Sequence, residues 1–288
     1  MLSFFKLIVN LFKVRISLTI TLCAVSGVFI MPNNLLNWFE IFILALSTFL
    51  ASAGSSAFNQ YFERDLDALM PRTSERPFVT GKLRPKTIWP IIFGSIICAG
   101  LMLSFFILNP FSAFYNFLGA LFYGGIYTIW LKRKSIWNIV IGGLAGSFAT
   151  LAGSAAVSPL LSPEAIILSV ILFLWTPPHF WSLAMAIGDD YKKAKIPMLP
   201  NIIKHSTTTY IIFFHTIILV FVSLLPAVYN MGVIYLAGVI LGGSYFIWTS
   251  LLLTIKKSKD AAMKNFFASF IQLGLLLVLI IIDGIIVL

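Results

Sequence analysis

Nine apolar runs, each long enough to cross a lipid bilayer, divide this chain, and they exclude a water-soluble fold. They lie at roughly 15–31, 38–58, 87–108, 111–130, 136–157, 164–187, 209–229, 232–254 and 265–287. Each approaches the ~20 residues that a helix needs to span hydrocarbon, and none shows the alternation of a membrane barrel strand. Charged residues make up only 10% of the chain, against about 25% in an average soluble domain. The expected fold is all-α, a polytopic bundle of about nine transmembrane helices in a single domain over 1–288. The opening MLSFFKLIVNLFK is amphipathic and lacks a small-residue cleavage site, so it is expected to lie at the interface rather than act as a signal peptide.

All 20 Lys and Arg residues fall on one side of such a bundle. They precede the first span or lie between spans two and three, four and five, six and seven, and eight and nine. The alternate loops MPNN, LNP, SPLLSPE and YNMG carry none. The positive-inside rule makes the basic side cytoplasmic, in a bacterial inner membrane, with the C-terminus outside. The net charge of +10 is then a rim facing lipid headgroups or an anionic substrate. No nucleic-acid module is present. Cys23 and Cys98 have no metal-ligand spacing and are expected as two small buried side chains.

Only ten acidic residues are present, and they cluster. The stretch NQYFERDLDALMPRTSERPFVTGK follows span two and holds Glu63, Asp65, Asp67 and Glu75; GDDYKKAKIPMLP follows span six and holds Asp189 and Asp190. Four spans separate the clusters, so both face the cytoplasm. This suggests two four-helix halves plus a ninth helix. On a helix, Asn59, Glu63 and Asp67 share one face at i, i+4 and i+8, strung over roughly 12 Å, while Asp65 points away. Two carboxylates and an amide oxygen are hard ligands suited to Mg²⁺, which binds through one or two carboxylates plus substrate phosphates. Arg72, Arg76, Lys132 and Arg133 are placed to hold the remaining phosphate charge. The bland alternative is a solvated helix end with surface ion pairs. Against it stands the cost of a charge at membrane depth, about 2.5–3.5 kcal/mol. Asp283, in the last span, has no evident role.

The stretch NQYFERDLDALMPRTSERPFVTGKL resembles the signature of the UbiA family of intramembrane prenyltransferases, in its haem-farnesylating branch. YTIWLKRKSIWNIVIGGLAGS, LWTPPHFWSLA and DDYKKAKIPMLP agree with it, and the likeness covers nearly the whole chain. It implies transfer of farnesyl from farnesyl diphosphate to a vinyl group of protohaem IX, giving haem O, with a haem A synthase downstream. It implies Mg²⁺ held by Asn59, Glu63, Asp67 and Asp190, and diphosphate held by Arg72, Lys132 and Arg133. Tyr123 and Tyr127 would steady an allylic cation, or else pack against lipid or the core. The family's second motif is D-x-x-x-D, whereas here Asp190 is followed four residues on by Ala194. Ala149 and Thr150 stand where the branch has a proline pair, so that helix is expected to be less kinked.

His179 follows Pro177 and Pro178, an expected break in helix regularity. It is placed to ligate haem iron or hold a propionate, or to serve as a hydrogen-bonded core histidine. His205 is expected to be exposed and His215 to pack structurally. Two rival readings stand beside the main one: a prenyltransferase acting on an aromatic quinone precursor, and a transporter. A transporter would place its acids near the bilayer midplane, not at the cytoplasmic lip.

Overall fold

The computed structural model describes residues 2–32, 34–229 and 231–287, so the loops MPNN and YNMG fall partly outside it. Regular structure among the described residues is helical throughout. Seven helices are long and apolar enough to span a membrane, and the bent pair Phe5–Leu11 and Val14–Phe29, at 54°, makes an eighth. The ninth expected span is the helix Pro110–Ala120, which runs on as the wider, π-helical Leu121–Leu131. Its polar residues Tyr115, Asn116, Tyr123 and Tyr127 line an internal cavity rather than facing lipid.

The helices at the nine expected positions are α1 (Val14–Phe29), α2 (Trp38–Phe62), α3 (Ile88–Leu108), α4 (Pro110–Ala120 with Leu121–Leu131), α5 (Asn138–Val157), α6 (Pro163–Ala186), α7 (His205–Tyr229), α8 (Val233–Lys256) and α9 (Lys259–Val287). Local chemistry sets their starts. Asn37 and Glu40 form a reciprocal capping box on α2. Asn109 caps α4, with Pro110 in its first turn, and Ser162 caps α6 ahead of Pro163. Asp283 of α9 also finds its role: its buried carboxylate accepts the Gly232 N–H at the start of α8.

Apolar side chains such as Phe106, Phe221, Leu241 and Trp248 lie exposed on the outside, as hydrocarbon surroundings require. Cys98 is on this outer surface, not buried as expected, while Cys23 is buried. Small residues draw the inner helices together. A Cβ on Gly153 would sit 1.8 Å from the Ala24 carbonyl oxygen, and one on Gly27 would sit 2.1 Å from that of Thr150. The α1 and α5 backbones therefore touch, and only glycine fits at the crossing. Ala149 and Thr150 lie in an unbroken helical stretch, Leu144–Val157, as expected without the proline pair.

The prolines of α6 do not break it. The helix runs from Pro163 to Ala186 with Pro177 and Pro178 inside. Pro178 has no N–H to give the Leu174 carbonyl, yet the helix is held through this point by its contacts with α7 and α9. A polar ladder ties this part of α6 to α9. Trp175 Nε1 donates to the Ser269 carbonyl at 2.9 Å, and Asn265 Nδ2 donates to Ser182 Oγ at 2.8 Å.

Candidate active site

The stripe read from the sequence is formed. The backbone turns slightly at Glu63 between α2 and the short helix Arg64–Leu69. Its i→i−4 bonds nevertheless continue, from Glu63 N to Asn59 O at 2.9 Å and from Asp67 N to Glu63 O at 2.8 Å. Asn59, Glu63 and Asp67 are therefore all buried on one face. Asp65 points outward and is exposed.

Each stripe residue has a cation on one oxygen. Lys13 Nζ donates to Asn59 Oδ1 at 2.6 Å, Lys132 Nζ to Glu63 Oε2, and Arg76 to Asp67 Oδ2 at 2.6 Å. The second oxygens, Glu63 Oε1 and Asp67 Oδ1, are buried without a hydrogen-bond partner. Buried acceptors are rarely left so, because each forfeits about 1–3 kcal/mol of solvation. Asn59 completes its bonding through Nδ2 to Thr128 Oγ1 at 2.9 Å, and Thr73 Oγ1 donates to the Asp67 carbonyl at 2.9 Å.

These groups stand at one end of a cavity of about 380 Å³ bounded by α1, α2, α4, α5, α6 and α9. Asn59, Asp67, Arg72, Arg76, Lys13 and Lys132 line its polar end. Along α2 the lining runs from Asn59 up to Thr48, eleven residues or roughly 16 Å of helix, between largely apolar walls. Tyr123 and Tyr127 stack on the α4 wall, with centroids 5.8 Å apart and planes 13° apart. Wide π-helical turns are frequent at functional sites, and this one carries both rings. Gly142 lets Tyr127 lie against α5, since a Cβ there would meet the ring at 2.8 Å. Lys132 and Lys13 sit 5.5 Å and 5.8 Å from the Tyr127 and Tyr123 centroids.

His179 lines the same cavity, buried on the α6 wall. Its ring lies between Trp175, at 4.2 Å and 22°, and Phe266, at 4.5 Å and 30°. Of the residues expected at the site, Asn59, Asp67, Arg72, Lys132, Tyr123, Tyr127 and His179 all line the cavity. Glu63 lies just behind it, on Lys132.

Asp190 and Arg133 are not brought to the cavity wall. Asp190 is half-buried in the short helix Gly188–Lys193, and the Ala194 that follows it is packed in an apolar cluster with Tyr191, Ile196 and Met198. Arg133 instead forms a two-pronged pair with Asp65, at 2.7 and 2.8 Å, which holds the Asp65 carboxyl below its usual range. Asp189 likewise pairs with Lys259 at 2.7 Å on the exposed surface. The described residues hold no group of three or more His, Cys, Asp or Glu positioned around a metal, so a cation here would take part of its coordination from elsewhere.

Lys13 is the site residue that sequence spacing does not reveal. It sits in the bend before α1 with φ of 43°, a left-handed conformation unusual for lysine. That bend turns its side chain inward to Asn59 and Tyr123. Its sequence signal is only a basic residue before a span, indistinguishable from the rest of the rim.

The model of the UbiA prenyltransferase family matches residues 20–271 of the chain. A protohaem IX farnesyltransferase of Paramagnetospirillum magneticum is 47% identical over 96% of both chains. One from Rickettsia bellii is 37% identical over 90% of this chain and 86% of its own. Among solved structures, one reported for digeranylgeranylglyceryl phosphate synthase superposes with a TM-score of 0.79 at 21% identity, covering 98% of both chains. A UbiA homologue from Archaeoglobus fulgidus, bound to GPP and Mg²⁺, superposes at 0.68 and 16% identity over 95% of this chain and 99% of that one. The match over most of its length and the identity to these relatives make this chain an integral membrane protein of the UbiA prenyltransferase family.

Proposed function

We propose that the protein transfers the farnesyl group of farnesyl diphosphate to a vinyl group of protohaem IX, producing haem O. One observation carries the reading. A single cavity joins the orphaned carboxylate of Asp67, with that of Glu63 just behind it, and a collar of four cations to a long apolar wall bearing His179. An amphiphilic diphosphate matches the first two features, and the farnesyltransferase relatives name the acceptor.

Glu63 Oε1 and Asp67 Oδ1 are acceptor oxygens that lack a donor, and with Asn59 they fit Mg²⁺ as a ligand set completed by diphosphate. Asp190 would contribute from the neighbouring short helix. A divalent cation held there supplies charge neutralisation for the leaving group. Lys13, Arg72, Arg76 and Lys132 bind the diphosphate oxygens and stabilise the charge that gathers there as the C1–O bond breaks with its electron pair. Arg133 extends this charge at the rim. The half-buried rings of Tyr123 and Tyr127 present their faces to the allylic cation and exclude water from it. The vinyl π electrons then form the new bond to farnesyl C1. Water adds to the resulting porphyrin-side cation and releases a proton, leaving a hydroxyethylfarnesyl substituent.

On this reading the chain is one transmembrane domain of two four-helix halves and a ninth helix. It sits in the bacterial inner membrane, with its polar end open to the cytoplasm and a haem A synthase as consumer of its product. The test is to incubate membranes bearing the protein with protohaem, farnesyl diphosphate and Mg²⁺, and to read pigment mass. Haem O should form. Prenylation of an aromatic quinone precursor, with protohaem unchanged, would sink the haem assignment.

A further inference from the structure

The ring of His179 is held by one residue of the opposite helix. His179 Nδ1 lies 2.7 Å from Ser269 Oγ, and Ser269 Oγ lies 2.6 Å from the carbonyl oxygen of Phe266. Two oxygens that close repel unless a proton lies between them, so the single hydroxyl proton of Ser269 is spent on Phe266. Toward His179 the hydroxyl can then only accept. The imidazole must carry its proton on Nδ1, and Nε2 is left with a lone pair. Nε2 has no protein partner among the described residues, and the ring it belongs to lines the cavity.

Phe180 and Phe270 stand nearly perpendicular to the ring at 4.8 and 4.6 Å, and further contacts restrict it. Trp175 and Phe266 cover its two faces, and the Ser269 backbone carbonyl fixes Trp175 through the indole N–H at 2.9 Å. Ser269 therefore sets the tautomer of His179 directly and its plane through Trp175. Ser269 is itself buried, so no solvent competes for its oxygen.

We propose that Ser269 is a positioning residue that presents the Nε2 lone pair of His179 to the iron of the haem substrate. This rests on the haem reading above. Neutral imidazole with its distal N–H held by an acceptor is the usual form of a metal-ligating histidine, and loss of that acceptor typically costs 10–100-fold in affinity. Without the hydroxyl, nothing favours the Nδ1–H tautomer, and the alternative tautomer presents N–H instead of a lone pair.

The test titrates haem into wild type and the variants Ser269→Ala, Ser269→Cys, Ser269→Thr and His179→Ala. Absorption and electron paramagnetic resonance report nitrogen ligation of ferric haem, and farnesyl diphosphate affinity is measured alongside. Ser269→Ala and Ser269→Cys should lose the nitrogen signature and bind haem about tenfold more weakly. Ser269→Thr, which keeps the hydroxyl, should retain both, and farnesyl diphosphate affinity should stay the same throughout. Should Ser269→Ala not fold, the contrast between Cys and Thr decides, since a thiol accepts only weakly. A wild-type nitrogen signature that persists in Ser269→Ala or Ser269→Cys overturns the role of Ser269 alone. Equal loss in Thr and Cys, pointing to packing, also overturns it. A wild type without nitrogen ligation overturns the iron role of His179 and the proposal with it.

Discussion

Lys13 Nζ lies 2.6 Å from Oδ1 of Asn59, so the residue before the first span closes on the last turn of the second. The same pattern recurs at Lys132 with Glu63 and at Arg76 with Asp67. Every oxygen-bearing residue of the stripe thus has a cation on one side, and both carboxylates keep an unsatisfied oxygen. Such a site is balanced without ligand yet ready to exchange partners. On the proposed function, an arriving metal–diphosphate unit would offer the carboxylates a cation and the three basic groups an anion.

Lys13→Met should weaken farnesyl diphosphate binding by about 10–100-fold, the scale of one charge-assisted hydrogen bond of about 1.5–3 kcal/mol. Equilibrium binding to purified protein in Mg²⁺ measures it. Unchanged affinity would show that Lys13 serves Asn59 alone.

Asp67→Asn should cut turnover at least about 100-fold, because it removes an anionic oxygen from the reacting site. Asp65→Asn breaks only an exposed pair worth about 0–1 kcal/mol, and should change turnover less than about threefold. Steady-state rates of both variants in the same membranes compare them. Equal losses would contradict the separation of the two faces.

Chelation of divalent cations should abolish farnesyl diphosphate binding and leave haem binding in place. Without metal, Glu63 and Asp67 set negative charge against an anionic headgroup in surroundings that screen poorly. Asp190→Asn should raise the Mg²⁺ concentration needed, whereas Asp189→Asn should not, since Asp189 is engaged with Lys259 on the surface. A chelator-insensitive affinity, or greater sensitivity at Asp189, would refute the assignment of the metal.

Gly153→Val should destabilise the fold by at least about 2 kcal/mol, as overpacking does when the neighbour is rigid backbone. The readout is the folded fraction in detergent on heating. Gly94→Val is the control, because nothing lies within 4 Å of a Cβ at that position. Equal stability of the two variants would mean that α1 and α5 do not cross in contact.

Single cysteines replacing Lys134 and Lys257 should react with an impermeant reagent only from the cytoplasmic face. Labelling of either from outside would break the nine-span topology on which the placement of the polar end depends.

By itself the sequence determined the class, the helix pattern and the acidic stripe, because these depend on local periodicity. Twenty apolar residues must be helical in lipid, and i, i+4 spacing puts Asn59, Glu63 and Asp67 on one face whatever surrounds them. The tertiary structure decided which distant groups meet that face. Lys13 and Arg133 look alike in the basic rim, yet a left-handed bend turns Lys13 inward, and an exposed pair with Asp65 keeps Arg133 outside. Pro177 and Pro178 read as a break, but α6 packs against α7 and α9 and the helix continues. Asp283 gains its role only where α9 meets the start of α8. Ser269 carries no signal in the chain, and becomes the partner of His179 only because α9 packs against α6. Contacts between residues far apart in sequence depend on how the helices cross, and no local period records a crossing.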